Sequence, residues 1–151
     1  METLLHCLHR SEIMLEKLLG GIMSEKSSKS LKDIVMDMET AGSDLNWEKL
    51  KSFFTEDAIF KVGAGDLKKG SQNVVDYLKW LYTSQAKPHM PHDFRAIWEL
   101  EDTVVLEMDA NYIRLKDNKP IQFPCVDILR FDGNLIREWR VYPDQAQLRG
   151  A

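Results

Sequence analysis

The sequence predicts an α+β domain, with helices in the first half and an antiparallel sheet after them. Up to Tyr82, apolar residues recur at three- and four-residue spacing, the period of a helix with one buried face. From Lys87 onward the period changes to two, that of a strand with one face on a core. Helices gathered ahead of strands, without alternation between them, argue against a parallel βαβ sheet.

Leu4, Leu8, Leu15, Leu18, Leu19 and Ile22 form the first apolar stripe, which Gly20-Gly21 brings to an end. The polar joint SEKSSKS leads into a second helix over about Ser30 to Ala41, where Leu31, Ile34, Val35 and Met38 share a face. A third helix follows the AGSD turn. Asp44 or Asn46 is available as its N-cap, and Trp47, Leu50, Phe53 and Phe54 are its apolar positions. AIFKV reads as a short strand and GAGDLKKG as a loop. A fourth helix starts near Ser71 and presents Val74, Val75, Leu78, Leu81 and Tyr82. After the proline-punctuated loop KPHMPH, four stretches read as strands: DFRAIWEL, TVVLEMDANYIRL, IQFPCVDILRF and LIREWRVYP. KDNKP and Asp132-Gly133 are the turns between the later ones. Pro124, inside a long strand, predicts a bulge or a sheet edge.

Alternation assigns the faces. Val104, Leu106, Met108, Ala110 and Tyr112 share one side of their strand and point to the core, against Glu107, Asp109 and Asn111. The same test turns His92, Phe94, Ala96, Trp98 and Leu100 inward, with Trp139 and Val141 in the last strand and Ala58, Phe60 and Val62 in the first. Asp127 lies between Cys125 and Leu129 on the inward side. A buried carboxylate without a partner is costly and tends to take up a proton. Asp127 and His92 are therefore the two ionisable groups that strands turn toward the core. Asp127 reads equally as a hydrogen-bonded structural group or as the polar group of a pocket. His92, at a strand entrance, reads as a solvated imidazole or as its partner.

The bulk numbers bound the function. A chain of 151 residues fits one domain, and a net charge of −4 gives no basic footprint for nucleic acid. No apolar run reaches membrane-spanning length, and the acidic start METLLHCLHR lacks a cationic signal-peptide region, so a cytoplasmic location is expected. Cys7 and Cys125 are too few for a disulfide framework, and Cys125 is expected to be an inert buried thiol. HMPH and HCLH have the look of metal ligands, but no third ligand follows at a useful spacing, and no metal is expected.

The stretch W..L..FF.EDAIF, a glycine before a helix, and four strands ending FDGNLIREWRVYPD resemble the nuclear-transport-factor-2-like superfamily. Within it they are most similar to the SnoaL-like and ketosteroid-isomerase-like branch. The resemblance covers roughly Leu31 to Leu148. It implies a domain over 28–151 and a helical extension over 1–27. It also implies a cone-shaped curved antiparallel sheet wrapped around helices, an internal pocket, and a homodimer through the convex sheet face. There Arg114, Arg130 and Arg140 would meet the row Glu107, Asp109 and Asn111. Asp127 falls on the carboxylic acid that ketosteroid isomerase keeps neutral to donate a hydrogen bond. Val62 stands where that enzyme has its base, and Met38 where it has its tyrosine. Met108, Ala110 and Val141 occupy the Arg and Asp positions of the epoxide-hydrolase-like members. Neither site is complete, which disfavours both of those reactions. Some family dehydratases use a His near the start of the strand that His92 opens.

The resemblance thus implies a small apolar or aromatic ligand held among Phe60, Val62, Trp98, Met108, Ala110, Tyr112, Trp139 and Val141. The chemistry expected is cofactor-independent isomerisation, dehydration or cyclisation of a carbonyl compound, with Asp127 and His92 as acid and base. The alternative is a non-catalytic ligand-binding or dimerisation module, which the apolar residues at Val62, Met108 and Val141 support.

Overall fold

The computed structural model describes residues 29–89 and 91–149. The first predicted stripe and the extension over 1–27 lie outside them. Helix α1 runs Leu31–Ser43 and buries Ile34, Val35, Met38 and Ala41. Two acceptors satisfy its first turn. The Ser30 Oγ takes the Asp33 N–H at 3.1 Å, and the Glu99 carboxylate takes the Leu31 and Lys32 N–H groups at 3.2 Å each. The second contact ties α1 to the sheet. Helix α2, Trp47–Lys51, is capped by Asn46, whose side chain accepts from the Lys49 N–H.

Strand β1, Phe54–Val62, begins where the sequence pattern still reads as helix. The backbone partner decides: the Phe53 carbonyl accepts the Ile136 N–H at 2.8 Å, and Phe54 pairs with Ile136. The short β2, Lys68–Lys69, leads to helix α3, Ser71–Ser84, with Val74, Val75 and Leu78 buried. Then come β3 (Ala86–Pro88), β4 (Asp93–Glu99), β5 (Thr103–Arg114), β6 (Lys119–Asp132), β7 (Leu135–Pro143) and a final turn of helix, α4 (Ala146–Arg149). Gly133, at φ +57°, adopts the left-handed conformation of the β6–β7 turn, which costs glycine least.

The seven strands form one sheet in the order β2-β1-β7-β6-β5-β3, with β4 also pairing β5. β3 and β4 use opposite halves of β5. The sheet is mixed, since β1 runs parallel to β7 while every other pair is antiparallel. That one parallel pair departs from the expected all-antiparallel sheet. It arises because β7 returns between β1 and β6, a long-range pairing that local alternation cannot express.

Register shifts break β1–β7 after Phe54, β4–β5 between Phe94 and Ala96, and β6–β7 at Arg130/Phe131. Such bulges bend strands and curl the sheet around α1 and α3. The one in β4 also corrects the predicted facing. Phe94 lies opposite Met108, but beyond the bulge Ile97 lies opposite Leu106 and Trp98 opposite Val105. Ile97 takes the inward side, while Trp98 is 49% and Leu100 60% exposed. One inserted residue inverts every side chain after it. At Pro124 the register runs through unbroken against Asp109. The Pro124 carbonyl takes the Asp144 N–H at 3.0 Å, so the imino edge faces the point where β7 ends and no ladder bond is lost.

Candidate functional site

The concave face of the sheet and α3 enclose a mainly apolar cavity of about 80 Å³. Of the residues expected to line it, Phe60, Val62, Met108, Ala110, Tyr112, Trp139 and Val141 do, as do Asp127 and His92. Trp98 does not, for the reason given. Glu39 from α1 and Tyr77 and Tyr82 from α3 line it too, as does Leu148 from α4.

Asp127 is 2% exposed and lies in register between Leu106 and Val141. Its oxygens have two donors: the Trp139 indole N–H at 2.9 Å and the Cys125 Sγ–H at 3.3 Å. Trp139 in turn is held by the rings of Phe54 and Phe60. Burial pushes the Asp127 carboxyl up, and the two donors pull it only partly back. Burial and the Asp127 charge push the Cys125 thiol well up, which leaves it a poor nucleophile.

His92 and Asp127 do not bond each other. The His92 Nδ1 accepts the Asn111 backbone N–H at 3.1 Å, so the ring proton sits on Nε2, 3.5 Å from the Tyr112 hydroxyl. Burial lowers the imidazole pKa, which agrees with a neutral ring. His92 thus orients Tyr112, and the expected acid–imidazole pair is replaced by a histidine–tyrosine contact. Tyr112 stacks on Phe123 and meets Tyr82, and burial raises both tyrosine hydroxyls well above their usual range.

Glu39 was not singled out by the sequence pattern. It stands four residues after the buried Val35, on the edge of the apolar stripe of α1, and this spacing is the signal that would have found it. Burial raises its carboxyl and the charge of Asp127 raises it further. Asp127 has two donors and Glu39 has none among the described residues, so Asp127 is the first of the two to ionise. The polar groups therefore form two sets in an aromatic chamber: Asp127 with its donors, and Glu39, Tyr82, Tyr112 and His92.

The arginines find partners within the chain: on the convex side Arg130 and Arg140 both bond Glu138 and Arg95 bonds Asp109, and at the end of β5 Arg114 bonds Asp117. No helix among the described residues is long and apolar enough to cross a membrane.

A curled sheet wrapped on helices around an apolar chamber is the nuclear-transport-factor-2-like architecture, and solved structures share it. A protein of ketosteroid-isomerase-like fold from Catenulispora acidiphila, described in complex with trimethylamine, matches at 17% identity and TM-score 0.64, over 72% of this chain and 83% of that one. A nuclear-transport-factor-2-like protein of unknown function from Burkholderia pseudomallei matches at 12% and 0.70, over 80% and 95%. Another of unknown function, from Cytophaga hutchinsonii, matches at 18% and 0.64, over 82% and 98%. The SnoaL-like domain model matches residues 37–139, more than half of the chain, and the chain belongs to that family. No curated protein sequence matches it.

Proposed function

We propose that this SnoaL-like protein binds a compact apolar carbonyl compound and moves its protons by acid–base chemistry without a cofactor. The observation that carries the reading is Asp127, a nearly inaccessible carboxyl at the wall of an aromatic chamber, raised by burial and held by only two donors. In such surroundings a carboxyl exchanges protons near neutral pH, where a general acid or base is most effective. His92 acts through Tyr112, whose hydroxyl it orients. Size narrows the ligand. An apolar cavity of about 150 Å³ takes benzene, and this one is about half as large.

The test is deuterium exchange of acetone in D2O, followed by proton NMR. Protein-dependent exchange that is lost in Asp127→Asn supports proton transfer at this residue; exchange no faster than in buffer refutes it.

A second reading, a non-catalytic binding or dimerisation module, is favoured by the same small volume. The rings of Phe60, Tyr77, Tyr82, Tyr112, Phe123 and Trp139 occupy much of the space between helix and sheet. In either reading the dimer forms through the convex face, where Trp98 and Tyr142 stand 49% and 48% exposed.

A further inference from the structure

We infer that Glu39 is a second catalytic carboxyl, donating a proton to the substrate's carbonyl oxygen while Asp127 accepts one from the adjacent carbon. This rests on the carbonyl reading above and assigns the partner that His92 does not supply.

The placement of Glu39 carries the assignment. Next to the inner chamber lies an outer cleft of about 370 Å³, lined by Met36, Thr40, Pro88, His89 and Phe94 among others. Glu39 and His92 are the two side chains that line both. His92 has its Nδ1 committed to the Asn111 N–H and its Nε2 directed at Tyr112, so it is not free to shuttle protons. Glu39 makes no side-chain hydrogen bond among the described residues, and it lines the chamber and the cleft alike. Among the described residues it is therefore the one titratable group lining both cavities whose side chain is not engaged by a hydrogen bond.

In the chamber several ionisable groups face it: Asp127 and Cys125 from β6, Tyr82 from α3, Tyr112 from β5 and His92 from the loop before β4; the cleft it shares adds Asp44 after α1 and His89 after β3. None of the chamber groups carries a positive charge, since burial favours the neutral His92 ring. The chamber thus favours one proton shared between two carboxyls over two anions. Because Asp127 has the donors, it is the anion, and Glu39 keeps the proton.

The step then balances. The Asp127 carboxylate takes the proton from the carbon beside the carbonyl, and the C–H electron pair becomes the C=C bond. The C=O π pair moves to oxygen and takes the Glu39 proton. The product is an enol with Asp127 protonated and Glu39 ionised. While the enol is bound, the ionised Glu39 takes the proton from Asp127, exchanges it for solvent deuterium through the cleft and returns the deuteron to Asp127. Reversal then moves that deuteron from Asp127 to carbon as the enol O–H proton returns to Glu39.

The experiment is acetone deuteration by full-length wild type, Glu39→Gln and Glu39→Asp, measured across pH, with circular dichroism to confirm that each variant is folded. The inference expects wild-type exchange to fall at alkaline pH as Glu39 ionises. It expects Glu39→Gln to be slower by on the order of a hundredfold and to lose that alkaline fall. Glu39→Asp should keep the pH profile at reduced rate. Wild-type rate and profile in Glu39→Gln overturn the role of Glu39 and leave the carbonyl reading standing. A slower Glu39→Gln that keeps the alkaline fall also overturns it, because the loss is then structural. No exchange by wild type removes both.

Discussion

Replacing Asp127 by Asn should make the protein's stability less sensitive to pH, with a sign opposite to ordinary acid denaturation. Burial raises the carboxyl from 3.8 to about 6. Between those values the folded state binds more protons than the unfolded state, so unfolding free energy falls as pH rises. The contribution of the protonated acid is complete below the unfolded pKa and is lost as pH passes the folded one. At ~1.4 kcal/mol per pH unit, the whole window amounts to about 3 kcal/mol, of which about 2 kcal/mol falls between pH 4.5 and 7.5. Asn fits the same space, retains an oxygen for the Trp139 N–H, and does not titrate.

Urea denaturation of both proteins at several pH values, followed by tryptophan fluorescence, measures the effect. Carboxyls away from the chamber, such as Asp117, which Arg114 holds at about 2, titrate in both proteins and cancel in the difference. Glu39, which loses the upward push of the Asp127 charge in the variant, does not cancel and moves the difference in the same direction. The stability of Asp127→Asn minus that of wild type should rise by about 2 kcal/mol across the range. A flat difference, or one that falls with pH, would falsify the buried-acid account and make Asp127 a well-solvated structural anion.

Three further outcomes follow from the packing. Glu99→Ala removes the acceptor for the Leu31 and Lys32 amides, so stability should drop by about 0.5–1 kcal/mol, with faster hydrogen exchange at those two amides. Unchanged exchange there would mean that Ser30 alone holds the turn. Phe60→Ala removes a ring that is 1% exposed and packed against Tyr77 and Trp139, and should cost about 3–5 kcal/mol in chemical denaturation. A loss below about 1 kcal/mol would show that the chamber collapses around the gap. Trp98→Glu should shift sedimentation from dimer to monomer without loss of fold, and an unaltered mass distribution would exclude the convex face as the interface.

What the residues determine by themselves is what depends on neighbours along the chain. Ser30 and Asn46 cap α1 and α2 because a short polar side chain before an apolar stripe can reach an amide of the first turn. Strict alternation on β5 and β6 turns Asp127 inward, because a side-chain period of two leaves it no other face. Tertiary structure decides wherever a distant partner intervenes. A bulge set by pairing with β5 turns Trp98 out and Ile97 in. The place of β7 between β1 and β6 makes one pair parallel. The Asn111 amide, nineteen residues along the chain, fixes the His92 tautomer and directs the ring to Tyr112 instead of Asp127. Glu39 and Asp127, far apart in sequence, become one acid–base system only because α1 packs across the concave face of the sheet, where burial makes a charge on either one raise the other.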